Sequence, residues 1–263
     1  FFFKQKTAYE IPKRDWSSDV CSSDLGERGI MAPEQIEAAI RPKDAHTIQT
    51  AMICIENTHN SGGGSIYPLA TVERIGAIAR QRGLPFHMDG ARLFNAVVAT
   101  GISATEYAKH CTTVSFCLSK GLGAPAGSLL ATNDHDMIAR LRRFRRMYGG
   151  GMRQVGLLAA AGLYALEHNI NRLKDDHDNA RRLATLLASI PTVAIDVKTV
   201  ETNMLFFDIA SSRTPADIVA ALKAEGLLIN AVGGRTYRAV THLDVSADDI
   251  EKAGAIFSRV LSR

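Results

Sequence analysis

VSFCLSKGLGAPAGSLLAT, residues 114–132, is the stretch that decides the fold. It holds two short apolar runs rich in β-forming residues, separated by a Ser-Lys-Gly turn with further glycines and a proline. Glycine and proline interrupt regular elements, so Lys120 falls directly after a predicted strand. Upstream, HMDGARLFNA (residues 87–96) ends another apolar run at Asp89, 31 residues before Lys120. The chain therefore carries a lysine and an aspartate at the ends of successive predicted strands.

These two residues fit the needs of one cofactor, pyridoxal 5'-phosphate. A lysine amine holds the cofactor aldehyde covalently. A carboxylate beside the pyridine nitrogen raises the pKa of that nitrogen and keeps it protonated, so that the ring can withdraw electrons. Two simpler interpretations compete, because a lysine before glycine is commonly a surface residue and an aspartate commonly caps the next helix. The pairing at successive strand ends favours a cofactor site at Lys120 and Asp89.

The segment that leads to Asp89 has the pattern of a βαβ unit. AMICI (residues 51–55) is a continuous apolar run, apolar residues then recur at helical spacing, and Gly83 precedes the apolar run LPFHMD (residues 84–89). Continuous hydrophobicity is typical of strands that are buried on both faces of a mostly parallel sheet. Ligands bind beyond the carboxyl ends of such strands, which is where Asp89 and Lys120 fall.

The rest of the chain predicts more helices and a second α/β unit. Further strands are predicted at VAIDV, NMLFFDI, LLINAV and YRAVTHL. Further helices are predicted at residues 103–110, 137–147, 155–168, 171–190, 216–225 and 246–261. We expect three divisions: a leader over residues 1–25, a partial large domain that binds the cofactor over residues 26–190, and a small C-terminal domain over residues 191–263.

Residues 1–25 do not resemble the start of a natural protein. KQKTAYEI (residues 4–11) and DWSSDVCSSDL (residues 15–25) match one reading frame of a common sequencing-library adapter. A secretory signal is a poor alternative, because the segment lacks an apolar region of the required length. We therefore expect a non-native leader before Gly26 and a natural N-terminal region that is missing from this chain.

Composition narrows the class of protein. The net charge of +4 argues against a dedicated nucleic-acid binder, whose basic residues would dominate one face. Cys54, Cys111 and Cys117 form no CxxC pair or metal-binding spacing, which favours reduced thiols in a cytoplasmic protein. The apolar runs are too short for a membrane span. The sequence therefore predicts a cytoplasmic enzyme without nucleic-acid or membrane partners and without a metal.

Several motifs together resemble one enzyme family. ENTHN, HMDGARLFNAVVA, CLSKGLGAPAGSLL, GGGMRQ, DHDNA, TNMLF and VTHLD are similar to motifs of low-specificity L-threonine aldolases, which are fold-type I pyridoxal-phosphate enzymes. The resemblance runs from about Gly26 to the C-terminus. It implies an α/β fold with a large and a small domain, and cleavage of L-threonine or L-allo-threonine to glycine and acetaldehyde. It also implies a homotetramer, a dimer of dimers with active sites at subunit interfaces.

The resemblance assigns roles to matching residues. Lys120 would bind the cofactor aldehyde, and Asp89 would pair with the pyridine nitrogen. Arg92 would lie beside the cofactor and hold the substrate carboxylate. Arg238, in YRAVTHLD, would be the second arginine that holds this carboxylate.

Three further assignments follow from the same resemblance. Arg153 in GGGMRQ and Arg146 would contact the cofactor phosphate, with Arg153 reaching in from a neighbouring subunit. His46 matches a histidine near the substrate hydroxyl and is a candidate base, because imidazole titrates near neutral pH. His59 and His87 are expected to be structural.

The resemblance also exposes departures from the family. The Gly-Thr phosphate cradle and the histidine that stacks on the cofactor ring belong to the N-terminal third of the family pattern, which we expect to be missing. The remaining sheet would have two open edges, so we expect poor cofactor binding and weak or no activity. Two alternatives stay open: another fold-type I lyase (β-elimination or hydroxymethyltransferase-like), and a non-catalytic fragment.

Overall fold

The first sheet has four strands in the order β1-β2-β3-β4. A computed structural model describes residues 26–41 and 49–262, so the predicted leader and His46 lie outside the described residues. The strands are β1 (Ile53–Glu56), β2 (Phe86–Asp89), β3 (Thr113–Cys117) and β4 (Ser128–Ala131). β1, β2 and β3 are parallel, and β4 is antiparallel to β3. The predicted mostly parallel sheet is confirmed.

Four helices accompany these strands. They are α1 (Pro33–Ala39), α2 (Leu69–Arg82), α3 (Leu93–Thr100) and α4 (Ala104–Ala108). Gly83 ends α2 in the left-handed conformation with φ 65°, which a glycine adopts at little cost. Tyr67, Val72, Ile75 and Met88 are fully buried in one hydrophobic cluster between the helices and the sheet.

The strands are less evenly buried than their continuous apolar pattern predicted. Ile53 and Ile55 of β1 are buried, whereas Cys54 between them is exposed. The same alternation recurs in β2, where His87 and Asp89 are only partly buried. Successive side chains of a strand point to opposite faces, so one face of this sheet packs more tightly than the other within the described residues.

Three helices follow β4. They are α5 (His135–Met147), α6 (Gly156–His168) and α7 (Leu173–Ala188). None of the residues of α5 is buried, whereas α7 buries a full apolar stripe against neighbouring elements. The two helices thus differ in kind: α7 belongs to the core, and α5 lies on the surface of the chain.

The second sheet is antiparallel with the order β5-β6-β8-β7. Its strands are β5 (Val193–Ala194), β6 (Met204–Ile209), β7 (Asn230–Gly233) and β8 (Thr236–Val240), and it is accompanied by α8 (Pro215–Ala224) and α9 (Ala247–Leu261). Phe207, Tyr237 and Phe257 pack together in its core, to which α7 also contributes. The division near residue 190 stays a prediction, since α7 joins the C-terminal core.

Contacts across the chain fix the second unit against the first. The Arg28 guanidinium pairs with Glu201, and the other carboxylate oxygen of Glu201 accepts the Ile66 N–H at 3.1 Å. The Thr202 hydroxyl donates to the Gly64 carbonyl at 2.9 Å in a buried position. These bonds attach the loop between β1 and α2 to the segment that precedes β6.

Two classes of feature are missing from the described part of the chain. None of its helices has the length and hydropathy that a membrane span requires. Within the same residues, no group of three or more histidine, cysteine, aspartate or glutamate side chains forms a candidate metal site.

Candidate active site

Asp89 and Lys120 lie at the carboxyl edge of the parallel strands. Asp89 is the last residue of β2 and lies opposite Ser115 of β3. Lys120 follows the end of β3 by three residues, in a turn closed by the Gly123 N–H donating to the Lys120 carbonyl at 2.8 Å. The Lys120 side chain is exposed. Both residues lie at the sheet edge that the sequence predicted, and their catalytic roles stay predictions.

The contacts of Asp89 bear on the alternative that it caps a helix. Asp89 Oδ1 accepts the Ala91 N–H at 3.1 Å, which is a local turn. Helix α3 begins later, at Leu93, and Arg92 occupies the position before it. The carboxylate therefore closes the turn between β2 and α3, but it is not the residue that caps α3.

Gly90 fixes this turn against the neighbouring strand. Its N–H donates to the Ser115 carbonyl at 2.7 Å. A Cβ atom at position 90 would lie 2.8 Å from the same oxygen, so a larger residue would have to push β2 and β3 apart. The glycine beside Asp89 thus has a steric reason: the backbone of β3 passes too close for a side chain.

Two arginines from distant parts of the chain meet at one amide oxygen. Asn60 Oδ1 accepts a hydrogen bond from Arg92 Nη1 at 3.2 Å and another from Arg238 Nη1 at 3.3 Å. Arg92 precedes α3, Arg238 lies in β8, and Asn60 lies in the loop after β1. The structure therefore brings together the two residues that the resemblance implied for a carboxylate.

The electrostatics of this cluster favour an anion. Burial lowers the pKa of Arg92, and the neighbouring Arg238 cation lowers it further, whereas Glu56 and Asp89 act in the opposite direction. Among residues 26–41 and 49–262, no carboxylate forms an ion pair with either guanidinium. The acceptor that the two guanidiniums share is neutral, and a carboxylate ligand accepts from such a pair of cations more strongly than an amide does.

Asn60 was not predicted from the sequence as a site residue. Its only signal was its place in the ENTHN motif. His59 and His87 were expected to be structural, and each has a hydrogen-bond partner among the described residues. His59 Nδ1 accepts the Gly62 N–H at 3.0 Å, and His87 Nδ1 lies 2.8 Å from the Thr113 hydroxyl.

The remaining predicted residues are not gathered at this cluster. Arg146 is at the end of α5 and Arg153 is in the turn before α6, and both are exposed. In the part of the chain that the structure describes, neither contacts Lys120, Asp89 or Arg92. Their predicted contact with the cofactor phosphate stays a prediction, and His46 lies outside the described residues.

The DHDNA segment forms a buried connection between the two arginine-bearing elements. The Asp176 carboxylate, fully buried, pairs with Arg172 of the preceding turn. The Asp176 carbonyl accepts the Thr241 hydroxyl at 2.6 Å, just beyond β8. The next residue, His177, lies 3.1 Å from the side chain of Asn95 in α3. Helix α7 therefore contacts both the helix that follows Arg92 and the residue that follows the strand of Arg238.

The donor set fits pyridoxal 5'-phosphate and an amino acid. The exposed Lys120 amine and the Asp89 carboxylate supply an amine and an anion at one sheet edge, as the aldehyde and the pyridine nitrogen of that cofactor require. Arg92 and Arg238, which share the Asn60 oxygen, supply two cations for a carboxylate.

Known proteins have sequences related to this chain. A profile of the family described as Beta-eliminating lyase matches residues 7–210. The low specificity L-threonine aldolase of Escherichia coli K12 is 42% identical over 240 residues, which cover 91% of this chain and 69% of that protein. Low-specificity L-threonine aldolase 1 of Arabidopsis thaliana is 38% identical over 239 residues, which cover 89% of this chain and 66% of that protein.

Solved structures share the fold at lower identity. A structure described as an L-allo-threonine aldolase of Listeria monocytogenes matches with a TM-score of 0.74 at 22% identity, over 90% of this chain and 67% of that one. The threonine aldolase of Leishmania major matches with a TM-score of 0.73 at 18% identity, over 90% of this chain and 69% of that one. These likenesses confirm the predicted α/β architecture.

Proposed function

The chain belongs to the low-specificity L-threonine aldolases of the β-eliminating lyase family, and from this membership we propose that it cleaves L-threonine and L-allo-threonine to glycine and acetaldehyde with pyridoxal 5'-phosphate. The reaction class is that of an aldehyde-lyase, and the fold is that of fold-type I pyridoxal-phosphate enzymes. The observation that carries the proposal is the meeting of Arg92 and Arg238 at Asn60.

The cofactor contributes the electron sink. When bound, pyridoxal phosphate accepts the electron pair that is released as the bond between Cα and Cβ of the substrate breaks. Lys120 would hold its aldehyde through the side-chain amine. Asp89, from the neighbouring strand, would face the pyridine nitrogen and hold a proton on it, because a carboxylate raises the pKa of an adjacent base.

The two arginines would orient the amino acid. A carboxylate that accepts hydrogen bonds from both guanidiniums is fixed in direction as well as in place. Fixing the carboxylate sets which bond of Cα stands perpendicular to the ring, so Arg92 and Arg238 would select the bond that breaks. A base near the substrate hydroxyl removes its proton, and His46 is the proposed candidate.

The reaction can be tested by product analysis. We expect acetaldehyde and glycine from L-threonine and from L-allo-threonine when the purified chain is supplied with pyridoxal phosphate. The β-eliminating alternative predicts pyruvate and ammonia from L-serine instead. Pyruvate from serine without acetaldehyde from threonine would reject the aldolase assignment in favour of that alternative.

The cofactor site can be tested without turnover. Incubation with pyridoxal phosphate followed by borohydride reduction should add one phosphopyridoxyl group to the chain, which is the mass of the cofactor less one oxygen, and Lys120→Ala should remove that addition. Lys109→Ala serves as the control, since Lys109 directly follows α4 and pairs with Glu106. A chain that gains no mass under these conditions would favour the remaining alternative, a non-catalytic fragment.

We also propose that the chain forms homo-oligomers in the pattern of a dimer of dimers. A surface formed by β4, α5, α6 and the turn between the helices exposes large apolar side chains, and we call it the apolar face. Its members include Leu129, Leu130, Met147, Tyr148, Met152, Leu157, Leu163 and Tyr164. Exposed large apolar side chains concentrated in successive elements mark an interaction site. Arg146 and Arg153 are exposed in the same stretch of the chain, which supports a phosphate contact across a subunit interface.

The cytoplasm is the compartment that we propose for this enzyme. Cys111 and Cys117 are free thiols. Burial raises the pKa of the Cys111 thiol to about 12, so this side chain stays protonated and unreactive. Free and unreactive thiols are typical of proteins in reducing compartments.

A further inference from the structure

Asn60 is an uncharged residue that lies between Arg92 and Arg238. A carboxylate at this position would neutralise the two arginines, whereas the Asn60 amide does not. Its Oδ1 atom lies within hydrogen-bond distance of Arg92 Nη1 and Arg238 Nη1 at once. Both bonds are longer than a typical charge-assisted bond. The neutral Asn60 oxygen therefore holds the two guanidiniums close together without neutralising their charges.

The loop that carries Asn60 is held in place on both sides. The His59 N–H donates to the Ser65 carbonyl at 2.9 Å, and the Gly64 N–H returns a bond to the His59 carbonyl at 2.9 Å. A Cβ atom on Gly64 would lie 2.3 Å from the Thr202 hydroxyl, so the loop also packs directly on the second unit. Because the loop is bonded to both units, it holds the Asn60 amide in a fixed place. Arg92 of the first unit and Arg238 of the second unit can therefore both bind it.

The charge of residue 60 decides whether the site can accept a ligand. An aspartate has the same shape as asparagine, but its carboxylate would form ion pairs with both guanidiniums. The site would then be filled by the chain itself. An alanine would leave the two guanidiniums without a shared acceptor, and their mutual repulsion would separate them. A neutral acceptor of this size avoids both outcomes.

We propose that Asn60 is a positioning residue that gathers the Arg92 and Arg238 guanidiniums around one neutral oxygen, so that both face the carboxylate of an incoming amino acid. The ligand class, an α-amino acid, rests on the proposed function. The gathering of the two arginines by Asn60 rests on the hydrogen bonds alone and is tested with simpler carboxylates.

The first experiment measures carboxylate binding by the cofactor-free chain. Its melting temperature is followed against acetate, and against acetamide as an uncharged control, with ionic strength held constant by sodium chloride. We expect acetate to raise the melting temperature of the wild-type chain. Asn60→Ala should require about tenfold more acetate for the same rise, as expected for a lost bond to a charged group.

Asn60→Asp gives the sharper result, because the change is isosteric. Its melting temperature without acetate should exceed that of the wild type, since the carboxylate pairs with both cations. Its response to acetate should disappear. Asn171→Asp is the matched control: Asn171 is exposed and lies just before α7, so the same chemical change there should leave the acetate response intact.

The second experiment separates positioning from a general loss of structure. With L-threonine as substrate, Asn60→Ala should raise KM about tenfold with a smaller fall in kcat, because the two arginines that Asn60 positions both bind the carboxylate and orient the bond that breaks. If acetate binding responds as expected but no variant and no wild-type chain releases acetaldehyde, the aldolase proposal fails and the role of Asn60 stands.

Three results would overturn the role of Asn60. The first is a wild-type chain that does not respond to acetate. The second is an Asn60→Ala chain that binds acetate as tightly as the wild type or more tightly, which would make Asn60 a bystander or a competitor. The third is an Asn60→Asp chain that keeps the wild-type response.

Discussion

At the scale of single residues, the Asp89 side chain has two properties, a hydrogen-bond acceptor and a negative charge, and a substitution can remove the charge while keeping the acceptor. Its Oδ1 atom accepts the Ala91 N–H and so shapes the turn before α3. The negative charge is not needed for that bond, because an amide oxygen accepts an N–H equally well in direction and reach. The charge is needed for the proposed pairing with the pyridine nitrogen.

Replacing Asp89 by asparagine therefore tests the charge alone. We expect Asp89→Asn to keep the melting temperature of the cofactor-free chain within about 2 °C while aldolase activity falls at least about a hundredfold, equivalent to about 3 kcal/mol of transition-state stabilisation. Circular dichroism and acetaldehyde release are the two measurements. A parallel loss of stability and activity would instead assign Asp89 to the turn only.

At the scale of elements, the joint between β2 and β3 depends on the absence of a side chain at position 90. The Ser115 carbonyl both accepts the Gly90 N–H and occupies the space of a Cβ atom. Because Asp89 and the turn that leads to Arg92 flank this joint, a shift of the strands would move two predicted site residues together.

Gly90→Ala should lower the free energy of unfolding by about 1 to 3 kcal/mol, the usual cost of forcing extra volume into a packed site. Urea denaturation provides the measurement. Gly156→Ala is the control, since a Cβ atom there meets nothing within 4 Å. That change should alter stability by less than about 1 kcal/mol, in the favourable direction, because alanine is the better helix former. Equal effects of the two substitutions would contradict the steric account.

The packing of α7 on α3 depends on a neutral imidazole. The Asn95 amide donates to His177 Nε2, so that nitrogen must be unprotonated. Burial, together with the nearby Arg181 cation, lowers the pKa of His177 from 6.5 to about 4. The unfolded chain therefore binds a proton at this residue more readily than the folded chain does.

The contribution of His177 to stability should accordingly fall with pH. It is fully present above pH 6.5 and is lost as the pH drops from 6.5 to about 4, by about 3 kcal/mol in total. His177→Gln replaces the imidazole with an amide that does not titrate. This variant should lose the dependence of its unfolding free energy on pH over that interval. His135→Gln is the control, because His135 is exposed at the start of α5. If both variants keep the wild-type slope, the titration lies elsewhere.

At the scale of the whole molecule, α5 and α6 carry an apolar surface without a partner among the described residues. Leu157 on α6 is 79% exposed, and Leu228, before β7 on the second unit, is 78% exposed. The two leucines are equally accessible, but only Leu157 belongs to the apolar face. Comparing substitutions of these two leucines therefore distinguishes a role in an interface from the effect of exposure alone.

We expect Leu157→Lys to dissociate the oligomer and Leu228→Lys to leave it intact. A lysine buried in an apolar interface costs about 2 kcal/mol or more, which raises the dissociation constant about thirtyfold. Sedimentation equilibrium at micromolar concentrations measures the mass of each variant. A wild-type chain that is monomeric throughout this range would refute the proposed assembly.

Local patterns in the sequence determined the positions of Asp89 and Lys120 at the carboxyl edge. An apolar run and the glycine that follows it mark where a strand ends, and parallel strands place their ends together. The same patterns predicted most of the helices, although not α1. They overstated the burial of β1, because a short apolar run does not reveal which of its faces is covered.

Only the tertiary structure decided which distant residues meet. Asn60 and Arg238 are 178 positions apart, and their contact depends on how the second sheet packs against the first. The burial of His177 against Asn95 likewise depends on the path of α7 between the two units. No periodicity encodes such contacts, since they arise from the packing of whole elements, each of which would look the same in the sequence if it were placed elsewhere.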